Sequence, residues 1–274
     1  MTSVPMFRLL SALRRTLDAE VPYQPERSRL RRALARRAAA WKGSPPTRGG
    51  LTRSAYGVWL VTREEDQTFR FCADGSYGFA FANLLRGWRR PFVFLDFGAN
   101  IGLYSLIAAR SGRASRVVAF EPDPGSAEFL RRNSEANGVQ VEVVEAAVSS
   151  TAGSAVLFVP KGHSGRSSLT PLEPETASVT VPVLAAGDLA EALWRGSIDD
   201  DVVVKIDVEG HELEVLKAIL EWNGFRDICA VWIEFSAMTD SEACTRLLEA
   251  SGFRRRASMG WPHHSDVLFM KERA

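Results

Sequence analysis

The chain has 274 residues, 46% hydrophobic and 24% charged, with a formal charge of +1. This composition excludes a disordered or low-complexity protein, and the length accommodates one large α/β domain with an N-terminal extension. No apolar run approaches the ~20 residues that span a bilayer, and the odd set Cys72, Cys229 and Cys244, without metal-ligand spacing, excludes a disulfide framework and a zinc ribbon.

The charge is unevenly placed: residues 1–42 carry +7 and the remainder −6. Arg8 and Arg14 interrupt the apolar N-terminus, which makes a poor secretory signal. A reducing cytoplasm is expected. Residues 28–41 read as a helix, with Leu30, Leu34, Ala38 and Trp41 at helical spacing and arginines on the other faces. Residues 43–50 read as a linker containing Pro45 and Pro46. Residues 56–61 and 68–71 read as short strands around a charged turn, and 77–88 as a helix. The expected division is a basic helical extension and linker over 1–50, pre-domain strands and a helix over 51–90, and the main domain over 91–274.

From Pro91 the pattern alternates. Residues 92–97 form a nearly unbroken apolar run, as in a strand buried on both faces, and Leu103, Leu106 and Ile107 then follow a helical period. A strand over 116–120 is followed by Asp123-Pro124, an N-cap with proline at the first helical position. That helix ends near Asn137-Gly138. Strands are expected over 139–144, 156–159, 179–183, 201–206 and 230–235, with helices over 210–222 and 241–251. Segments 253–256 and 266–270 close the sheet. The alternation implies parallel strands with right-handed crossovers. The last strand is expected to be antiparallel, since no helix precedes it.

The loop LDFGANIG, residues 95–102, joins the first strand of the main domain to its helix, where α/β sheets bind ligands. Gly98 and Gly102 permit close backbone approach, although a tight turn alone would also use them. Asp96 suits a cationic group better than a pyrophosphate. The next strand ends in Glu121, nineteen residues after Gly102. An acid about twenty positions after a glycine loop can hold both hydroxyls of an adenosine ribose, and helix capping is the alternative. Together they favour an adenosine ligand without a pyrophosphate.

LDFGANIG, VAFEPDP, VKIDVEGHE and WIEF, in that order over residues 92–270, resemble the successive motifs of FkbM-type methyltransferases. The resemblance implies a Rossmann-like class I methyltransferase fold, with a mostly parallel seven-stranded sheet and an antiparallel last strand. It also implies S-adenosylmethionine as methyl donor, and usually O-methylation of a sugar or a polyketide-type natural product, with some N-methylating members. It sets Asp96, Gly98, Asn100 and Gly102 around the methionine part of the cofactor, with Asp207 at the same edge. Glu121 would hold the ribose, Ala146 and Ala147 would lie near the adenine, and Ser168 belongs to a Ser-rich loop that binds cofactor or closes over substrate.

An alcohol acceptor must lose a proton, so a base or a metal is sought. Asp207 and Glu209 leave the end of a strand, His211 begins the next helix, and Glu234 ends the neighbouring strand. Three readings stay open: His211 or Glu209 as a base with Glu234 nearby; a magnesium-type ion on Asp207, Glu209 and Glu234; or acids that only cap the helix. Lys205 is odd inside an apolar strand and is expected to pair with one of these acids. His263, His264 and Trp261 precede the last strand and are candidate substrate contacts, and His163 is a candidate lid residue. The expected partner is a small-molecule acceptor, with a homodimer as an option and no membrane. A nucleic-acid-binding role for the Arg-rich helix is the competing class, against which the acidic body weighs.

Overall fold

The computed structural model describes residues 47–271 except 78, 172–175, 194–199, 223–226 and 262–263. The helix expected over 28–41 and His263 therefore lie outside the described residues, as does the side chain of Trp261.

The described chain opens with a small antiparallel sheet of β1 (Thr47–Arg48), β2 (Leu51–Arg53) and β3 (Trp59–Val61). Part of the expected linker is thus a hairpin, turned by Gly49 and Gly50 at positive φ. Next come α1 (Gln67–Asp74) and α2 (Ala80–Gly87). The strand expected over 68–71 is instead the first part of α1. Asp66 caps it, accepting from Phe69 N at 2.9 Å, and places Phe69, Cys72 and Ala73 on one buried face.

The main sheet and its crossovers follow: β4 (Phe92–Phe97), α3 (Leu103–Ala109), β5 (Ala114–Phe120), α4 (Pro124–Asn137) and β6 (Glu142–Val144). A second small sheet then forms from β7 (Ala147–Val148), β8 (Gly153–Val159) and β9 (Ala177–Leu184) in the order β7-β9-β8. The chain continues with α5 (Ala186–Leu193), β10 (Asp201–Ile206), α6 (Glu212–Glu221), β11 (Ile228–Phe235), α7 (Ser241–Ala250), β12 (Phe253–Trp261) and β13 (His264–Lys271).

The main sheet has seven strands in the order β12-β13-β11-β10-β4-β5-β6. The five strands from β11 to β6 pair in parallel, while β13 is antiparallel to both β11 and β12. This is the Rossmann-like methyltransferase architecture, with the expected antiparallel last strand. From β4 the chain crosses to β5 on one side, and from β10 to β11 on the other. The carboxyl ends of β4 and β10 therefore flank a crevice at the topological switch point.

Both of those strands are buried along their whole length, which explains their unbroken apolar runs. Alternate residues feed two cores. Val93, Leu95 and Phe97 meet α5 and α6 through Leu189, Val215 and Leu216. Phe92 and Phe94 meet α1, α2 and α3 through Phe69, Phe81, Leu85 and Leu106. Two amides of α4 satisfy the edge of β3: Asn137 Oδ1 accepts from Trp59 N at 2.9 Å, and Asn133 Oδ1 from Val61 N at 2.6 Å.

Candidate functional site

After β4 the backbone turns sharply through Gly98 (φ 78°), Asn100 (φ 51°) and Gly102 (φ 86°). Gly98 is required on two counts. Its φ disfavours a side chain, and a Cβ there would lie 1.8 Å from the carbonyl oxygen of Asp207. The loop and the end of β10 are thus in direct backbone contact, and Asp207 N donates to Phe97 O at 3.1 Å.

Beneath this contact lies a buried ionic group. Lys205 Nζ sits 3.1 Å from Asp207 Oδ2 and 3.6 Å from Asp96 Oδ1. Asp96 also accepts from Ser105 Oγ at 2.6 Å. Burial opposes the charge on Lys205, but Asp207 and Asp96 outweigh it and hold the pKa above its ordinary value. Burial likewise works to raise the pKa of Asp207; Lys205 outweighs it, and the group stays below its ordinary range. The expected lysine–acid pairing is present. The carboxylate of Asp96 is turned into this ionic group, under the loop.

Glu121, at the end of β5, is 4% exposed and organises both loops around it. Its Oε2 accepts from Asn100 N at 2.6 Å and its Oε1 from Asp123 N at 2.9 Å. Burial pushes its pKa up to about 7, against the pull of those two N–H donors. A cleft opens here, lined by Gly98, Asn100, Glu121, Ala146, Ala147 and His211, with Phe120, Val148 and Leu157 supplying apolar surface. A buried acid beside a glycine turn and an apolar slot fits an adenosine with a cationic tail. His211 belongs to this cleft, where its Nε2 lies 3.0 Å from Ser149 Oγ and burial lowers its pKa. Ser168 lines the cleft too, but its hydroxyl is engaged, donating to Glu209 O at 2.8 Å.

That carbonyl belongs to a strained residue. Glu209 has φ 53°, unusual for a residue with a side chain. The conformation is held from two sides. Besides Ser168, the buried Glu212 accepts from Gly210 N at 3.0 Å, from Val208 N at 3.3 Å and from Thr239 Oγ1 at 2.8 Å. Burial pushes the pKa of Glu209 up to about 8, helped by the charge of Asp207.

A second cavity, of about 550 Å³, lies on the other side of Glu209. Tyr77, Gly165 and Glu209 line both spaces. The second is walled by Glu234, His264 and Asp266 at the β11–β13 edge and by Phe71, Tyr104 and Trp232. His264 Nε2 lies 2.9 Å from Glu234 Oε1. Burial first, and then Asp207, push the Glu234 pKa well above its ordinary value. Asp266, which accepts from Trp232 Nε1 at 3.2 Å, is raised by burial to about 7.

The structure thus brings Asp207, Glu209, Glu234 and His264 together and leaves His211 on the far side, in the first cleft. Asp207, Glu209 and Glu234 offer oxygens within 4.8 Å of one another, but the ammonium of Lys205 already sits beside Asp207. Sequence reasoning missed Tyr77 and Asp266. Asp266 stands opposite Glu234 in the β11–β13 register, so an acid one strand over from a candidate acid was the available signal. Tyr77 reaches Asp207 Oδ2 at 3.2 Å from 130 residues away, and no local pattern marks it.

This switch-point crevice, with its glycine turn and its acid at the end of the second parallel strand, defines a methyltransferase of the S-adenosylmethionine type. The chain belongs to the FkbM family: the model of the methyltransferase FkbM domain matches residues 96–270. The hexuronic acid methyltransferase AglP of Haloferax volcanii is 32% identical over 156 residues, 57% of this chain and 61% of that protein. Methyltransferase sdnD of Sordaria araneosa is 30% identical over 194 residues, 60% of this chain and 73% of its own. Among solved structures, the ribosomal protein L11 methylase of Lactobacillus delbrueckii subsp. bulgaricus aligns at 14% identity and a TM-score of 0.42, over 70% of this chain and 77% of that one. No helix among the described residues is long and apolar enough to cross a membrane.

Proposed function

We propose that this methyltransferase transfers a methyl group to a hydroxyl of a small sugar or natural-product acceptor, with Glu209 as the base. The observation that carries the reading is the position of Glu209, in the wall shared by the two cavities. S-adenosylmethionine, when bound, supplies a methyl group already activated on a sulfonium. Gly98, Asn100, Glu121, Ala147 and His211 would hold it in the first cleft, with Glu121 on the ribose. The acceptor would lie in the second cavity.

The chain's own work is then to orient the acceptor hydroxyl and take its proton. Glu209, raised to about 8, is poised near neutral pH for that transfer. Glu234, its pKa raised by burial and by Asp207, would donate a hydrogen bond to the acceptor in its protonated form, and Lys205 keeps Asp207 ionised alongside. A relative named as a hexuronic acid methyltransferase supports a small-molecule acceptor. Cys72, Cys229 and Cys244 are joined in no disulfide among the described residues, which is consistent with a reducing compartment such as the cytoplasm.

A divalent ion on Asp207, Glu209 and Glu234 is the second reading, favoured by their close oxygens. An acceptor screen with hydroxylated and amino sugars, run after chelator treatment and again with magnesium, separates the two. Methylation of hydroxylated acceptors without metal supports the first reading. Strict magnesium dependence supports the second, and methylation of amino sugars alone overturns the hydroxyl assignment.

A further inference from the structure

The family match begins at residue 96, yet one wall of the second cavity lies upstream of it. Thr68, Phe71, Ser76, Tyr77, Phe79 and Ala80 form that wall. They come from α1, the start of α2 and the turn between them. Three contacts fix this segment against the rest of the site. Asp66 Oδ2, in the cap of α1, accepts from Ser164 N at 2.9 Å. Gly165 N donates to Thr68 Oγ1 at 2.8 Å. Tyr77 Oη donates to Asp207 Oδ2 at 3.2 Å. The wall is therefore held at a set distance from the acids across the cavity.

The two walls differ in chemistry. Glu209, Glu234 and Asp266 present hydrogen-bonding groups. On the upstream side Phe71 is half-buried, while Phe69, Cys72 and Ala73 supply the core face of its helix. The ring of Phe71 meets His163 edge-on, with centroids 6.1 Å apart. A large aromatic left out of the core and facing a cavity opposite acids matches a ring with an apolar C–H face and a hydroxylated edge.

We propose that the upstream wall determines acceptor specificity, with Phe71 as the residue against which the acceptor's ring lies. This rests on the methyltransferase reading above, because it needs the second cavity to be the acceptor site. Substitution of Phe71 is expected to leave the fold intact, since the core face of α1 is formed by its neighbours.

The test uses the full chain saturated with S-adenosylhomocysteine and titrated with methyl β-D-glucopyranoside, followed by ligand-observed NMR. Wild type should bind the glucoside, and Phe71→Leu should bind it about tenfold more weakly. S-adenosylhomocysteine affinity, measured by calorimetry, should agree between the two within about twofold, which also reports a folded variant. Equal glucoside affinity in both proteins, or no binding to wild type, overturns the proposal while leaving the methyltransferase reading intact. Failure of wild type to bind S-adenosylhomocysteine would take down the reading itself, and this inference with it.

Discussion

Lys205 Nζ lies 3.1 Å from Asp207 Oδ2 at the end of β10, and both side chains are almost wholly buried. A lysine in the middle of a parallel sheet is tolerated here because Asp96, on the neighbouring strand, flanks it from the other side. The group ties the strand that begins the glycine turn to the strand that carries the acids.

Lys205→Met should therefore be severely destabilising. It leaves two carboxylates buried without a counter-charge, and breaking such a group typically costs about 3–5 kcal/mol. Urea unfolding monitored by fluorescence measures this directly. A loss below about 1 kcal/mol would mean that the acids simply protonate, and that the lysine matters little to the fold.

Gly98→Ala should abolish cofactor binding. The added Cβ meets the Asp207 carbonyl at 1.8 Å, and backbone on either side has nowhere to move without opening the β4–β10 junction. Calorimetry with S-adenosylhomocysteine, alongside a melting curve, checks both consequences. Normal affinity in this variant would contradict the close approach.

Glu209→Gln should lower turnover about a hundredfold or more, the usual range for loss of a general base, with cofactor affinity little changed. His211→Ala should do the reverse, weakening cofactor binding several-fold and leaving the pH dependence of turnover in place, because His211 faces the first cleft and bonds Ser149. If His211→Ala instead removes the pH dependence, the base has been assigned to the wrong residue.

Stability should fall as pH rises from about 4 to about 8. Glu121 titrates near 7 in the folded chain against an ordinary 4.5, Asp266 near 7 against 3.8, and Glu209 near 8 against 4.5. Across that window the folded chain binds more protons than the unfolded chain, so raising the pH favours unfolding. Asp207, with its pKa lowered, acts in the opposite direction, and its contribution is lost only as pH falls below its ordinary 3.8. Melting temperatures should be higher at pH 5.5 than at pH 8.5 in buffers of matched ionic strength, about 0.15 M. A higher value at pH 8.5 would show that the buried acids are better compensated than their surroundings suggest.

The centre of the sheet was legible in the sequence because β4 and β10 are buried along their whole length and read as plain apolar runs, and both match their expected bounds. The motif acids were legible because each sits at a strand end. The segment before residue 91 was harder. Thr68 to Phe71 has strand-like composition, and only the capping carboxylate of Asp66 and the tertiary face it sets up make it helical. The different placement of His211 and Glu209 was also hidden. Two residues apart in sequence, both line the first cleft, but Glu209, at a positive φ, also lines the second cavity and His211 does not. No periodicity argument anticipates a single residue in that conformation.

The packing of α1 and α2 over Phe92, Phe94 and Trp232 bears on how the protein can be handled at the bench. A shortened version starting at residue 91 would keep nearly every motif the family shares. It would also turn an oily sheet face, built from those three aromatics, out into water, and such surfaces drive aggregation. A chain shortened to begin at residue 91 should collect in inclusion bodies, whereas one that retains residues 47–90 should remain in the supernatant.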